Sequence, residues 1–591
     1  MRGHLLSITL GPVQDFIAQA RRTRDLWYGS ELLSQLSRKA AAALVERGAC
    51  LIFPDLSQGG IGLAAGSSSR GEDGQLASSI ANKLLAEVPE GIDPARVARE
   101  VREAVMGFWR DGLAAKVKVK CADLLAEGID AVWDEQVATF VEFAAAWAPL
   151  GSYREARQQV ERALSSRKNL RDFAVWTAQS RAVPKSSLDG GRETVLRPGS
   201  QRDKGLSGKY RIAVGEQLDA VGLVKRAGGE PDQFVPVINV AVASWVDLAA
   251  REAPGEINKL RAECKRIELS RIARPDLPCA QTFPFDASVL LPSRWGPVFT
   301  EQGLAGSPGS WGDEYVRPLL RKIGEPYPYV ACLAADGDRL GQAISLLESA
   351  QAHRSLSLAL ASFAERARSI IEQDHHGALI YAGGDDVLAF LPLPEALECA
   401  DDLRRSFAER VGAACAPAAP RASLSVGLGV GHVMEGMGDL LALGREAERE
   451  AKLDRDALAV VVEMRSGGRR SWRARWTEDP ARLLRADMAL LDGRLSSRKV
   501  HEISRTLARL PAPASASGEA WARLLALEVR RSLARVGDGS LSPGEAGLPL
   551  DDSGGYPALH ACVRSWVARL LIARTFNAAA PGRRGAGEVV A

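Results

Sequence analysis

Two hydrophobic patterns alternate along the chain. Apolar runs of strand length occur at Leu5 to Leu10, Cys50 to Pro54, Tyr329 to Ala335, Ala378 to Ala382, Val387 to Leu391, Ala422 to Gly431 and Ala457 to Met464. Between them, apolar residues recur every three or four positions, the spacing of helices with one buried face. Leu32, Leu33, Leu36 and Ala40 predict a helix over Ser30 to Arg47, preceded by a shorter one over Asp15 to Arg24 that is entered through Gly11-Pro12-Val13-Gln14. Asp93 to Leu150 is helical in pattern, with Trp109, Trp133 and Trp147 read as core aromatics. Tyr153 to Phe173 is a long basic helix whose Arg167, Lys168 and Arg171 face either RNA phosphates or plain solvent.

Further along, Phe234 to Trp245 reads as a strand or the start of a buried helix, and Val246 to Ile272 as a helix broken at Pro254-Gly255. Leu277 to Pro318 reads as irregular. From Tyr327 to Met464 the predicted order is β-α-β-β-α-β-α-β, which is ferredoxin-like with an addition. Ser466 to Trp476 reads as a basic linker whose Trp472 and Trp476 leave RNA contact open. Pro480 to Phe576 is mainly helical, the tail after Asn577 is expected to be disordered, and Gly/Ser-rich Gly60 to Gly74 reads as a mobile loop.

Composition narrows the function classes. The 591 residues are 46% hydrophobic and 25% charged, ordinary for a globular protein of several domains. With 76 basic against 73 acidic residues the net charge is only +3, so any nucleic-acid binding must use local patches. No apolar span is long enough for a membrane helix and no cleavage signature opens the chain, so no membrane partner and a cytoplasmic location are expected. The eight cysteines stand singly, a pattern of reduced core thiols rather than disulfides or a zinc site.

The chemistry concentrates in one stretch. Gly383-Gly384-Asp385-Asp386 joins two strand-length runs as a tight hairpin turn with two adjacent carboxylates at its tip. Those charges repel each other, and a divalent metal carrying nucleotide phosphates would offset them, although a solvated acidic tip would look similar. About fifty residues upstream, Asp336-Gly337-Asp338 ends an apolar strand just before a helix, a second place for a carboxylate beside free backbone N–H groups. Gly427, Gly429 and Gly431 lack the spacing of a dinucleotide fingerprint. Asp374-His375-His376 reads as a polar loop before the hairpin.

With these motifs in place, residues 328–465 resemble the palm of nucleotide polymerases and cyclases of the GGDEF and GGDD type. The string GPVQDFIAQARRTRDLWYGSELLSQLSRKA, starting at Gly11, resembles the N-terminal palm of the large (Cas10-type) subunit of type III CRISPR effectors, in the Cmr or type III-B branch. The resemblance implies an α+β fold of two ferredoxin-like palms with a helical middle domain and a helical C-terminal domain. The expected divisions are 1–175, 176–326, 327–465 and 466–591.

It also implies an activity: an RNA-activated nucleotidyltransferase that joins ATP into cyclic oligoadenylate or a related messenger. Asp336, Asp385 and Asp386 would hold two Mg²⁺ or Mn²⁺ ions, Asp385 and Asp386 being catalytic. Gly337, Gly383, Gly384 and Ser30, beside Gly29, would lie against nucleotide, and Lys452 would meet triphosphate unless it is an ordinary helix lysine. Partners would be ATP, other Cmr subunits, guide RNA and target RNA. The alternatives are a non-catalytic scaffold of the same particle and a free-standing diguanylate-type cyclase.

Two absences are expected as well. Ser186, Asp189, Asp219 and Gly222 stand where relatives carry zinc-binding cysteines, so no zinc is expected. The first strand begins at Leu5 and none of the seven histidines is followed by Asp, so no HD nuclease is expected.

Overall fold

The computed structural model describes residues 3–55, 81–170, 176–179, 181–200, 210, 212–229, 235–272, 274, 276–415, 422–513, 518–535, 540–550, 555–580 and 582. The fold is α+β, as expected. Gly60 to Gly74, Arg171, Phe234 and the tail from 583 lie outside the described residues.

β1 (His4–Gly11) forms where the sequence predicts it, buried from Leu5 to Leu10. It is followed by α1 (Gln14–Ala18), α2 (Thr23–Glu46), β2 (Cys50–Phe53), β3 (Lys83–Val88) and β4 (Glu142–Pro149). The four strands make one antiparallel sheet of order β2-β3-β1-β4. β4 corrects the helical reading that ran to Leu150. Its alanine-rich run is helix-prone in isolation, but it pairs with β1 from His4–Pro149 to Gly11–Glu142, and tertiary pairing overrides propensity. Trp147 is consequently 42% exposed and is no core aromatic, whereas Trp109 and Trp133 are buried.

The helix expected over Asp15 to Arg24 also differs. The Asp25 carboxylate accepts from the backbone N–H of Arg21 and Arg22, both at 3.1 Å, which ends the turn after α1 and starts α2 before the predicted Ser30. Gly29 therefore lies within a helix. A Cβ there would sit 2.5 Å from Lys225 Cε, so its smallness serves the buried Lys225. That ammonium donates to the carbonyls of Phe16, Ile17 (3.3 Å) and Gln19 (2.7 Å). The suspected zinc positions do come together, as a polar knot: Ser186 Oγ and Gly222 N both donate to Asp219 Oδ1, at 2.9 and 3.1 Å. The Arg192 guanidinium lies 3.3 Å from Asp189 and 3.9 Å from Asp219.

The second sheet has six strands in the order β10-β9-β8-β5-β7-β6. They are β5 (Tyr329–Asp338), β6 (Ala378–Gly383), β7 (Asp386–Pro392), β8 (Ser423–His432), β9 (Ala457–Glu463) and β10 (Arg469–Arg475). Only β8 and β9 run parallel. β10 replaces the expected basic linker. Its arginines alternate with buried Trp472 and Ala474, which face the sheet core together with Trp476, so these tryptophans are not an RNA-stacking platform.

The faces of β5 explain how the two halves join. Val330, Cys332 and Ala334 enter a core shared with Leu6, Ile8 and Leu10 of β1 and Leu32 and Leu36 of α2. Ala331, Leu333 and Ala335 face a second core, closed by Phe363 of the Ala350–Ser369 helix and Phe407 of the Ala396–Arg410 helix. The glycines of β8 let the Met437–Asp454 helix lie directly on the sheet. A Cβ on Gly427 would come within 2.0 Å of Glu448 N, and one on Gly429 within 2.2 Å of Gly444 N.

The remaining chain is helical. Leu277 to Pro318 is not irregular: helices Trp295–Gln302 and Pro308–Tyr315 pack Trp295 and Trp311 around their own core, and Val237–Ala241 is a helix rather than a strand. His375 and His376 lie in the short connection before β6, as read, but His375 is not solvated there. It is buried between Asp402 (3.0 Å) and Glu395 (3.5 Å), and these carboxylates raise its pKa although burial alone would lower it. Helices Pro480–Gly493, Ser497–Arg509, Glu519–Leu533 and Gly555–Ala579 form the last unit. Among the described residues no helix is long and apolar enough to cross a membrane.

Candidate active site between the two sheets

The hairpin is as tight as its sequence requires. Gly383 pairs with Asp386, leaving Gly384-Asp385 as a two-residue turn, and Gly384 takes φ +72°. β5 runs past Ala335 through Asp338, held by the pairing of Asp336, Gly337 and Asp338 with Ser425, Leu424 and Ser423 of β8. A Cβ on Gly337 would sit 2.7 Å from Asp385 Cβ, so this glycine is what lets Asp385 approach the strand. Gly337→Ala is therefore expected to push Asp385 away at a cost of about 1–3 kcal/mol. A melting curve and an activity assay check it, with activity falling further than stability.

Asp338 is a fully buried anchor. It accepts from Ser423 Oγ (3.0 Å), Ser425 Oγ (2.8 Å) and Asp456 N (2.9 Å). Lys452, from the end of the Met437–Asp454 helix, pairs with Asp336 and Asp338 and donates to the carbonyls of Asp336 and Gly337, both at 2.9 Å. The lysine thus holds the acidic strand end in place.

The three carboxylates of the hairpin and strand crowd each other. Burial and the negative charge of Asp336 push Asp385 up to about 6. Burial, contact with the Asp336 carboxyl and the charges of Asp385 and Glu448 push Asp386 up further. Glu448 is raised by burial and by Asp336.

Against these acids opens a cavity of about 820 Å³ between the two halves of the molecule. Asp336, Gly383 and Asp386 form one wall with Arg445, Glu448 and Arg449 of the Met437–Asp454 helix. Gln14, Ile17, Ser30, Ser34 and Asn82 of the N-terminal half form the other. Arg445 Nη2 donates to Gln14 O at 3.1 Å, clasping the walls together. Of the residues predicted from sequence, Asp336, Gly383, Asp386 and Ser30 line the cavity, while Gly337, Gly384, Asp385 and Lys452 do not. Arg445, Glu448 and Arg449 were not anticipated. Their only sequence signal is three- and four-residue spacing back from Lys452 on one helix face.

The donor set is of hard carboxylate oxygens, the type that Mg²⁺ and Mn²⁺ take. Among the described residues no three acids converge into a closed ligand cage.

Comparison with known proteins decides the family. Residues 329–459 match the model of the second palm domain of Cas10/Cmr2, and residues 5–114 match that of the N-terminal region of the CRISPR-associated protein Cmr2. The chain carries the N-terminal and second palm domains of the Cas10/Cmr2 family. Similarity extends over 548 residues to the CRISPR system Cmr subunit Cmr2 of Pyrococcus furiosus, at 24% identity, covering 78% of this chain and 62% of that protein. The chain therefore spans less than two thirds of the length of that Cas10/Cmr2 relative. In solved structures of type III-B Cmr-beta in the apo state and bound to cognate target RNA, a chain superposes with a TM-score of 0.62 at 14% and 15% identity. Both matches cover 90% of this chain, and 77% and 78% of theirs. At these identities the likeness is one of fold.

Proposed function

We propose that the chain is the nucleotidyltransferase subunit of a type III-B Cmr complex in the cytoplasm, joining ATP into cyclic oligoadenylate or a related adenylate messenger when target RNA is bound. The observation that carries this reading is the cavity itself, with the carboxylates on one wall and neutral hydrogen-bonding side chains on the other. A volume of about 820 Å³ is ample for nucleotide.

In this reading Asp336 and Asp386, backed by Asp385, hold the ions, which when bound would activate the attacking 3′-hydroxyl and neutralise the departing pyrophosphate. Arg445 and Arg449 meet phosphate oxygens. Ser30, Ser34, Gln14 and Asn82 hydrogen-bond the second nucleotide, and Ile17 and Leu33 give its base an apolar surface. Lys452 keeps Asp336 and Asp338 fixed, so the acids are aligned before nucleotide arrives. The bond formed joins the 3′-oxygen to an α-phosphorus, and the bond broken releases pyrophosphate.

Incubating the assembled complex with labelled ATP, with and without complementary RNA, tests the reading. Oligoadenylate identified by mass only when RNA is present is the expected result. No nucleotide product with either Mg²⁺ or Mn²⁺ would make the subunit a scaffold. We also propose that the Ser186–Asp219 knot binds no zinc, since Arg192 supplies the positive charge there. Metal analysis of protein purified without chelator is expected to return far less than one zinc per chain.

A further inference from the structure

A second cavity, of about 480 Å³, lies between the Tyr153–Asn169 helix, the start of β3 and the short Leu340–Ser345 helix. It shares no lining residue with the cavity between the sheets. Lys83, Arg157 and Arg162 line it against a single carboxylate, Glu161. That carboxylate is already engaged, since Lys83 Nζ lies 2.6 Å from both of its oxygens. Among the described residues Arg162 Nε donates only to Gln158 O, at 3.3 Å.

Arg157 is the decisive group. Its side chain is all but enclosed, at 4% exposure, and Nη2 donates to Ser345 O at 3.0 Å. Nε is buried and has no hydrogen-bond partner among the described residues. Among the described residues no carboxylate lies within ion-pair distance of the guanidinium. A guanidinium remains charged at any physiological pH, and a buried charge without a counter-charge is costly. Surrounding groups add no relief, because His353 is kept neutral by burial and by the charges of Arg157 and Lys83.

We propose that this cavity binds a small phosphate-class polyanion, either free pyrophosphate or the polyphosphate tail of a nucleotide. Arg157 is the buried anchor, and Arg162 and Lys83 close over it from the rim. Planar, fork-shaped guanidinium groups match the oxygen geometry of phosphate, and a site of this size suits a di- or triphosphate rather than a single small ion. The site stands apart from the proposed catalysis and needs no divalent metal.

Titrating the full-length protein with inorganic pyrophosphate in EDTA tests this directly, because EDTA silences any metal-dependent binding at the acidic hairpin. One equivalent is expected to bind, and Arg162→Gln and Lys83→Gln are each expected to weaken it several-fold. Arg157→Gln should weaken it by at least about ten-fold, the scale of one charge-assisted bidentate contact. The two rim variants are exposed enough to fold normally, so they decide the matter even if Arg157→Gln does not fold. ATP added in the same buffer separates the sources: competition assigns the site to a nucleotide tail, and its absence to free pyrophosphate. Absent binding at millimolar pyrophosphate, binding unchanged in both rim variants, or displacement by single-stranded RNA at lower concentration than by ATP would each overturn the proposal.

Discussion

Asparagine at both Asp385 and Asp386 is expected to remove nucleotide polymerisation by at least about a thousand-fold, roughly 4 kcal/mol of transition-state stabilisation. Thermal stability should hold or rise. The two outcomes follow from one geometry, in which burial and mutual repulsion raise both acids. A carboxyl group whose folded pKa lies above its ordinary value favours the fold below that ordinary value, 3.8 for Asp385, and loses that contribution as pH rises through about 6. At neutral pH and without metal the buried charge of ionised Asp385, and the proton that the still higher Asp386 must hold, work against folding, and the neutral amides relieve both. Melting both proteins in EDTA at pH 5 and pH 8 should show the variant gaining on the wild type at the higher pH. Undiminished product formation would remove Asp385 and Asp386 from the mechanism, and an equal loss of stability at both pH values would show that the amides simply disrupt the hairpin.

The acids of this site were legible because the elements carrying them are strongly patterned. β5, β6 and β7 are continuous apolar runs, and Gly-Gly-Asp-Asp has one natural place between two of them. The opposite wall was harder to read. β3 begins with Lys83 and carries Glu87, which hide its apolar residues, and α2 starts where Asp25 captures two backbone N–H groups, a bond that no periodicity reports. In β10 four arginines masked a period of two that only Trp472 and Ala474 keep. The β8 glycines were legible as unusual, but their purpose depends on the Met437–Asp454 helix pressing against them, and with it the approach of Arg445 and Glu448 to the cavity. Such features arise from contacts between distant segments, whereas local pattern fixes only the elements themselves.

The largest stability effect is expected at such a distant contact. Arg226 is fully buried and grips two carboxylates: Nε and Nη2 meet Asp25 at 2.5 and 2.9 Å, and Nη2 and Nη1 meet Glu216 at 2.7 and 3.2 Å. Burial would raise both acids, but the guanidinium outweighs it and holds both below their ordinary values. Asp25 in turn caps α2, the helix that carries Ser30 and Ser34 to the cavity. Arg226→Met should therefore cost about 3–5 kcal/mol, because it strands two buried charges. Arg226→Lys should rescue little, since a single ammonium cannot make two bidentate pairs. Lowered carboxylate pKa values contribute stability that is present above the ordinary values of 3.8 and 4.5 and is lost as pH falls through the folded ones. The gap between wild type and Arg226→Met should accordingly narrow as pH falls, beginning above 3.8 and 4.5, because burial without the guanidinium makes the stranded acids neutral above their ordinary values. Combining Arg226→Met with Asp25→Asn and Glu216→Gln should recover part of the loss in denaturant titrations at pH 7, since removing a whole buried ion cluster costs less than breaking it. A triple variant no more stable than Arg226→Met alone would mean that the guanidinium acts by filling space, and that the charges it links contribute nothing.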